Sequence, residues 1–145
     1  MKKMLITSII IVISAAIGVS QNKGAIIKFE NTVHDYGTIT QNADGKCEFK
    51  FKNEGDEPLV LSSARSSCGC TVPQWPKEPI LPGQSGVILV SYDTKRIGQI
   101  NKQITVISNA NEPSVILSIK GNVIPAPQEV LPEKPTDDGF TPKAN

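Results

Sequence analysis

Between Lys46 and Lys52 the chain alternates without a break, Cys47, Phe49 and Phe51 apolar, Lys46, Glu48, Lys50 and Lys52 charged. A period of two with the classes segregated predicts a half-buried antiparallel strand. Shorter runs of the same kind lie on both sides. Ala25–Glu30 predicts a first strand carrying Ile26, Ile27 and Phe29. His34–Ile39 follows, with a bend at Gly37 and with Tyr36 and Ile39 as buried anchors. Leu59–Leu61 opens a strand that runs toward Arg65. Val87–Tyr92 is apolar on both faces, which predicts a central position in its sheet. Ile100–Ile107 turns Ile100, Ile104 and Val106 inward, and Ser114–Val123 is the last strand.

Turn residues separate these runs: Asn42–Gly45, Asn53–Pro58, Leu81–Gln84 and Asn109–Pro113. From Val72 to Pro82 four prolines, Pro73, Pro76, Pro79 and Pro82, rule out a central strand, because proline lacks the ladder donor. Trp75 among them is expected to cover one end of the core. No stretch after residue 20 keeps a helical period. About seven short antiparallel strands at this spacing predict an all-β, immunoglobulin-like sandwich over residues 25–124. Phe49, Phe51, Cys47, Trp75 and Tyr92 are its expected core. The tryptophan and disulfide positions of antibody domains are not reproduced, so the likeness is one of architecture.

The ends read differently. Lys2 and Lys3 precede an apolar run from Leu5 to Val19, and small residues Gly18 and Ser20 sit at −3 and −1 of a cut before Gln21. A run of roughly 15 residues suits a signal peptide better than a membrane span, so residues 1–20 are expected to be removed. A cut after Ala16 is the alternative. No cysteine follows the run, so lipid attachment is not expected. Residues 125–145 mix Pro127, Pro132, Pro135 and Pro142 with charged residues and are expected to stay outside the folded core. Without Lys2 and Lys3, 13 of the 15 Lys and Arg remain against 14 Asp and Glu. Near-neutral charge with no block of like charges gives no footprint for nucleic acid or anionic lipid. The expected place is outside the cytoplasm, in a periplasm or beyond, with no membrane span once the signal is cut.

An oxidising compartment makes the three cysteines candidates for disulfide chemistry. Cys68 and Cys70, one glycine apart, have three readings. They are a structural turn, a redox pair, or a thiolate pair for a soft ion such as Cu(I). A bridge between them closes so small a loop that it adds little chain entropy and is readily exchanged. Cys47 shares a face with Phe49 and Phe51 and packs as a small hydrophobe; the alternative is a bridge to Cys68 or Cys70. His34, the single histidine, would need to reach one of those sulfurs to form a nucleophilic pair. Beside Asp35 in a turn it is expected to be structural. No other acid–base set, phosphate-binding glycine loop or metalloprotease motif is present.

Several motifs in order carry a family resemblance. They are His34-Asp35-Tyr36-Gly37-Thr38-Ile39, Phe49-x-Phe51-x-Asn53-x-Gly55, Pro58-Leu59, Cys68-Gly69-Cys70-Thr71, Pro79-Ile80-x-Pro82-Gly83, Ser108-Asn109 and Ile119-x-Gly121. From about Phe29 to Val123 the chain resembles the domain of unknown function 1573 family, secreted bacterial immunoglobulin-like modules. The resemblance implies a sandwich akin to ASH and major-sperm-protein folds, export, and no catalytic residue to carry over. Cys47 is an addition to that pattern. The resulting expectation is an exported, non-enzymatic module without a cofactor, acting by contact with a protein of the envelope or as a structural part of it. The alternative is a periplasmic thiol-redox or Cu(I)-binding protein using Cys68 and Cys70. Intact-mass measurement of the exported chain is expected to show an N-terminus at Gln21, or at Ile17 for the alternative cut. A mature chain that keeps residues 1–20 would overturn the leader reading.

Overall fold

In the computed structural model, which describes residues 24–127, the alternating stretch forms a strand at the heart of one of two sheets. The leader and the tail beyond Pro127 lie outside the described residues. The strands are β1 (Ile27–Phe29), β2 (Val33–Thr40), β3 (Lys46–Asn53), β4 (Leu61–Ser66), β5 (Thr71–Gln74), β6 (Ser85–Tyr92), β7 (Gly98–Ser108) and β8 (Ser114–Ile124). They form two four-stranded sheets, β1-β3-β6-β5 and β2-β8-β7-β4. No helix occurs among the described residues, so none there is long and apolar enough to cross a membrane.

The inner faces meet in one core. Phe49, Phe51, Ile88, Val90 and Tyr92 come from the first sheet, and Ile100, Ile104, Val106, Leu117, Ile119 and Val123 from the second. In β3 every apolar position is buried and every charged one exposed, as a strand with one face on the core requires. Phe51 pairs with Gly86 on β6. A Cβ at position 86 would lie 2.4 Å from the Phe51 ring, so the glycine leaves room for the aromatic side chain.

Three details depart from the sequence reading. Among the described residues there are eight strands rather than seven, since His34–Ile39 is drawn into β2 and Thr71–Gln74 into β5. Tyr36 and Ile39 are consequently half-buried on an outer strand instead of fully buried. One pairing is parallel: β2 runs alongside β8 in the same direction, with a bulge between Asp35 and Thr38. The chain leaves the first sheet after Glu30, whose N–H donates to the Lys50 carbonyl, and joins the second at Thr32, whose carbonyl accepts from Ser118. Changing sheets without reversing direction produces the parallel pair.

Proline keeps its expected constraint. Pro73 lies in β5, an edge strand. The Asp93 N–H donates to the Cys70 carbonyl at 2.9 Å. Alternation then turns the main-chain groups of Thr71 and Pro73 away from β6, so the ladder needs no donor from Pro73.

Asn53, fully buried at the end of β3, ties together several segments. Its carboxamide oxygen accepts from Ile26 N–H (3.3 Å) and Gly55 N–H (3.0 Å). Its nitrogen donates to the carbonyls of Glu57 (2.7 Å) and Ile80 (2.9 Å). All four hydrogen-bonding positions of the amide are used. Gly55 is held so close to the N-terminal segment that a Cβ there would lie 2.0 Å from the Gly24 carbonyl oxygen. Asn53→Ala leaves buried partners unsatisfied, and urea unfolding is expected to show a loss of about 3 kcal/mol. Phe49→Ala is expected to cost about 3–5 kcal/mol, and Lys50→Ala within about 0.5 kcal/mol of wild type. If Asn53→Ala unfolds at the wild-type midpoint, the amide does not hold these segments together.

Candidate functional site

The segment from Ser66 to Thr71 carries the chain from β4 in one sheet to β5 in the other. It is a dense knot of main-chain bonds. Ser67 N–H donates to the Gln103 carbonyl at 2.9 Å, and Gln103 N–H donates back to Ser67 Oγ at 3.3 Å. Ser66 Oγ lies between two acceptors, the carbonyl of Thr71 at 2.7 Å and that of Cys68. Thr71 N–H reaches the Cys68 carbonyl at 3.5 Å.

Within this turn Cys68 and Cys70 form a disulfide, with Cα atoms 5.3 Å apart. The two residues differ in exposure: Cys70 is 6% exposed, whereas Cys68 is half-buried. The hydroxyl of buried Thr71 lies 3.8 Å from both. Chemically the site holds two oxidising equivalents and, when opened, two thiols beside one hydroxyl.

The other candidates lie apart. Cys47 is a free, buried thiol on the inner face of β3, so it bridges to neither Cys68 nor Cys70. The Tyr36 hydroxyl donates to the Gly45 carbonyl at 2.7 Å and interacts with the Cys47 side chain. Burial pushes the Cys47 thiol up, and the Tyr36 hydroxyl offsets part of that rise. The Tyr36 phenol is pushed far above its ordinary range, first by burial and then by Cys47. His34 sets its ring edge-on to Tyr36, centroids 4.5 Å apart, and makes no recorded contact with a cysteine. Among the described residues no three His, Cys, Asp or Glu side chains converge as a metal site would require.

A second feature lies on the outer face of the first sheet. Leu89 is 46% exposed and Val72 55%. Two open hollows of about 500 and 520 Å³ meet there, sharing Leu89 and Gln74. Lys46, Glu48 and Val72 line the first, and Trp75, Ile80 and Val87 the second. Trp75 packs half-buried against the core, and its indole N–H is buried without a partner. Lys77 Nζ stands 3.2 Å above its ring centroid. The sequence signal for this surface was the apolar character of both faces of Val87–Tyr92. The strand is internal, as expected, but its outer face is left uncovered.

Two four-stranded sheets, a first strand divided between them and no helix among the described residues define an immunoglobulin-like sandwich. Residues 27–123 match the family described as "Protein of unknown function (DUF1573)", and the chain belongs to that family. No curated protein matches it. Among solved structures, a protein of unknown function from Porphyromonas gingivalis is 19% identical with a TM-score of 0.62, covering 72% of this chain and 50% of that one. The ASH/PapD-like domain 7 of human CEP192 is 10% identical with a TM-score of 0.57, covering 85% of this chain and 100% of that one. The VesB protease of Vibrio cholerae is 14% identical with a TM-score of 0.52, covering 67% of this chain and 31% of that one. The chain thus spans half the length of the Porphyromonas protein and less of the protease. Likeness at these identities is one of fold alone.

Folding keeps Cys47 protonated beyond the ordinary thiol value of 9.0. Its contribution is therefore complete below pH about 9 and is lost as pH rises through the higher folded value. Tyr36 adds the same trend above its ordinary value of 10.0. Urea midpoints are expected to fall from about pH 9 upward, and Cys47→Ala is expected to flatten the first part of that fall. An alkaline profile unchanged in the variant would show that Cys47 does not titrate with folding.

Proposed function

We propose that this protein is an exported, non-catalytic module that works by protein–protein contact, through the outer face of β3, β6 and β5. The observation that carries the reading is the exposed apolar pair Val72 and Leu89, beside Val87 and Trp75, on the outer face of β5 and β6. A sheet with one face on the core ordinarily presents polar side chains outward, and β3 does so with Lys46, Glu48, Lys50 and Lys52. Strands β5 and β6 instead set Val72, Val87 and Leu89 among the exposed polar residues Gln74, Ser85 and Ser91, and an apolar surface rimmed by polar groups marks a contact site.

The free edge of β5 is a poor place for strand addition. The Thr71 carbonyl already accepts from Ser66, and Pro73 has no N–H to offer. The partner therefore lies on the face instead of extending the sheet. The register sets Lys46 opposite Ser91, Glu48 opposite Leu89 and Lys50 opposite Val87, so charges of both signs border the apolar strip. The fitting partner is a protein segment that presents apolar side chains flanked by charged groups of both signs. Export rests on the basic and apolar leader of residues 1–20. The family's lack of an assigned activity accords with a contact role.

The test compares wild type, the double variant Val72→Asp/Leu89→Asp, and Ile116→Asp, an equally exposed position on the second sheet. After matched melting curves, each tagged protein is used to capture partners from envelope extract. The expected result is a protein held by wild type and Ile116→Asp and at least about tenfold depleted with the double variant, a loss of about 1.4 kcal/mol or more. Equal capture by all three, or none by wild type, overturns the reading.

A further inference from the structure

The disulfide between Cys68 and Cys70 is not what holds its own turn. Ser66, Ser67, Gln103, Thr71 and Asp93 close that turn by hydrogen bonds that do not involve sulfur. With a sequence separation of 2 the bond also constrains the unfolded chain very little. A covalent link that neither shapes its surroundings nor restricts the denatured chain is free to open and close while the fold persists. From this, together with the unequal burial of the two cysteines, we propose that Cys68–Cys70 is a thiol-exchange site whose substrate is a dithiol.

The burial of the two sulfurs sets the order of events. An incoming thiolate reaches Sγ of half-buried Cys68, not that of Cys70. The new sulfur–sulfur bond forms to Cys68, the Cys68–Cys70 bond breaks, and its electron pair leaves on Cys70 Sγ. Thr71 Oγ1, 3.8 Å from that sulfur, donates its hydrogen to the departing thiolate, which then takes up a proton. The second thiol of the partner, as thiolate, attacks its own sulfur in the mixed disulfide and expels the Cys68 thiolate, which is protonated in turn. The partner loses two electrons and two protons as its dithiol becomes a disulfide, and Cys68 and Cys70 gain them as two thiols. The reverse reaction uses the same atoms. Cys47 takes no part, since it is buried on the inner face of β3.

The first experiment treats the oxidised full chain with dithiothreitol in native buffer and follows thiols by alkylation and mass. The expected result is complete reduction without denaturant, Cys68 labelled natively, Cys70 and Cys47, each 6% exposed, labelled only after unfolding, and a melting temperature shifted by less than about 2 °C, small for a domain of this size. Reduction that occurs only when the chain unfolds, or a fall of several degrees, identifies a structural staple and overturns the proposal. The second experiment offers glutathione disulfide to Cys70→Ser, which keeps Cys68, and to Cys68→Ser, which keeps Cys70. Cys70→Ser is expected to form the mixed disulfide at least about tenfold faster, because accessible thiols exchange faster than buried ones. Equal rates, or a faster Cys68→Ser, overturn the assigned order of attack. Thr71→Val keeps the volume and removes the donor. It is expected to slow reduction about tenfold at an unchanged melting temperature, and an unchanged rate removes the hydroxyl from the step. Should either serine variant fail to fold, the wild-type experiment decides the proposal alone. None of these readouts depends on Val72 or Leu89, so the contact surface and the exchange site stand or fall separately.

Discussion

The carboxamide of Asn53 is the constraint on which the rest of the sandwich depends. A buried amide with no solvent to fall back on has to find every partner in the protein. Here those partners are Ile26, Gly55, Glu57 and Ile80, drawn from segments far apart in sequence. The main chain of Asn53 adds two more, donating to Gln84 and accepting from Gly83. One residue thereby fixes where the chain enters β1, how it turns after β3 and where the proline segment rejoins β6. The last of these matters for function, because it sets Trp75 and Ile80 beside Val87 and Leu89 and so shapes the second hollow.

Strand β5 links the two sites. Thr71 is buried, with its hydroxyl near both sulfurs, whereas Val72 is exposed in the first hollow. A strand turns successive side chains to opposite faces, so one residue separates the disulfide's neighbour from the apolar surface. The edge itself is kept from adding strands by Pro73 and by the Ser66 hydroxyl, a common protection for an uncovered edge.

The strand pattern was legible because the physical signal is local. Cys47, Phe49 and Phe51 alternate with charged residues, and a strand with one face on a core has to read that way. The inward set Ile100, Ile104 and Val106 follows the same rule and is buried. Proline in Val72–Pro82 signalled correctly that no central strand forms there. It could not signal that Pro73 would still occupy an edge strand, since only the register with β6 shows which main-chain groups need a partner. The parallel pairing of β2 with β8 was equally hidden. It results from a change of sheet between Glu30 and Thr32, and nothing in the local composition records which sheet a strand joins.

The sequence by itself determined the fold class, the family, the inward faces and the spacing that brings Cys68 and Cys70 within bonding range. Each of these depends on neighbouring residues or on a period of two. Tertiary structure alone decided that Cys47 stays a free thiol beside Tyr36, that Cys68 is accessible while Cys70 is not, and that Leu89 and Val72 share an uncovered face. Those outcomes depend on which strands lie side by side and on what covers them. Burial and access are properties of the assembled surface, and residues distant in the chain create them.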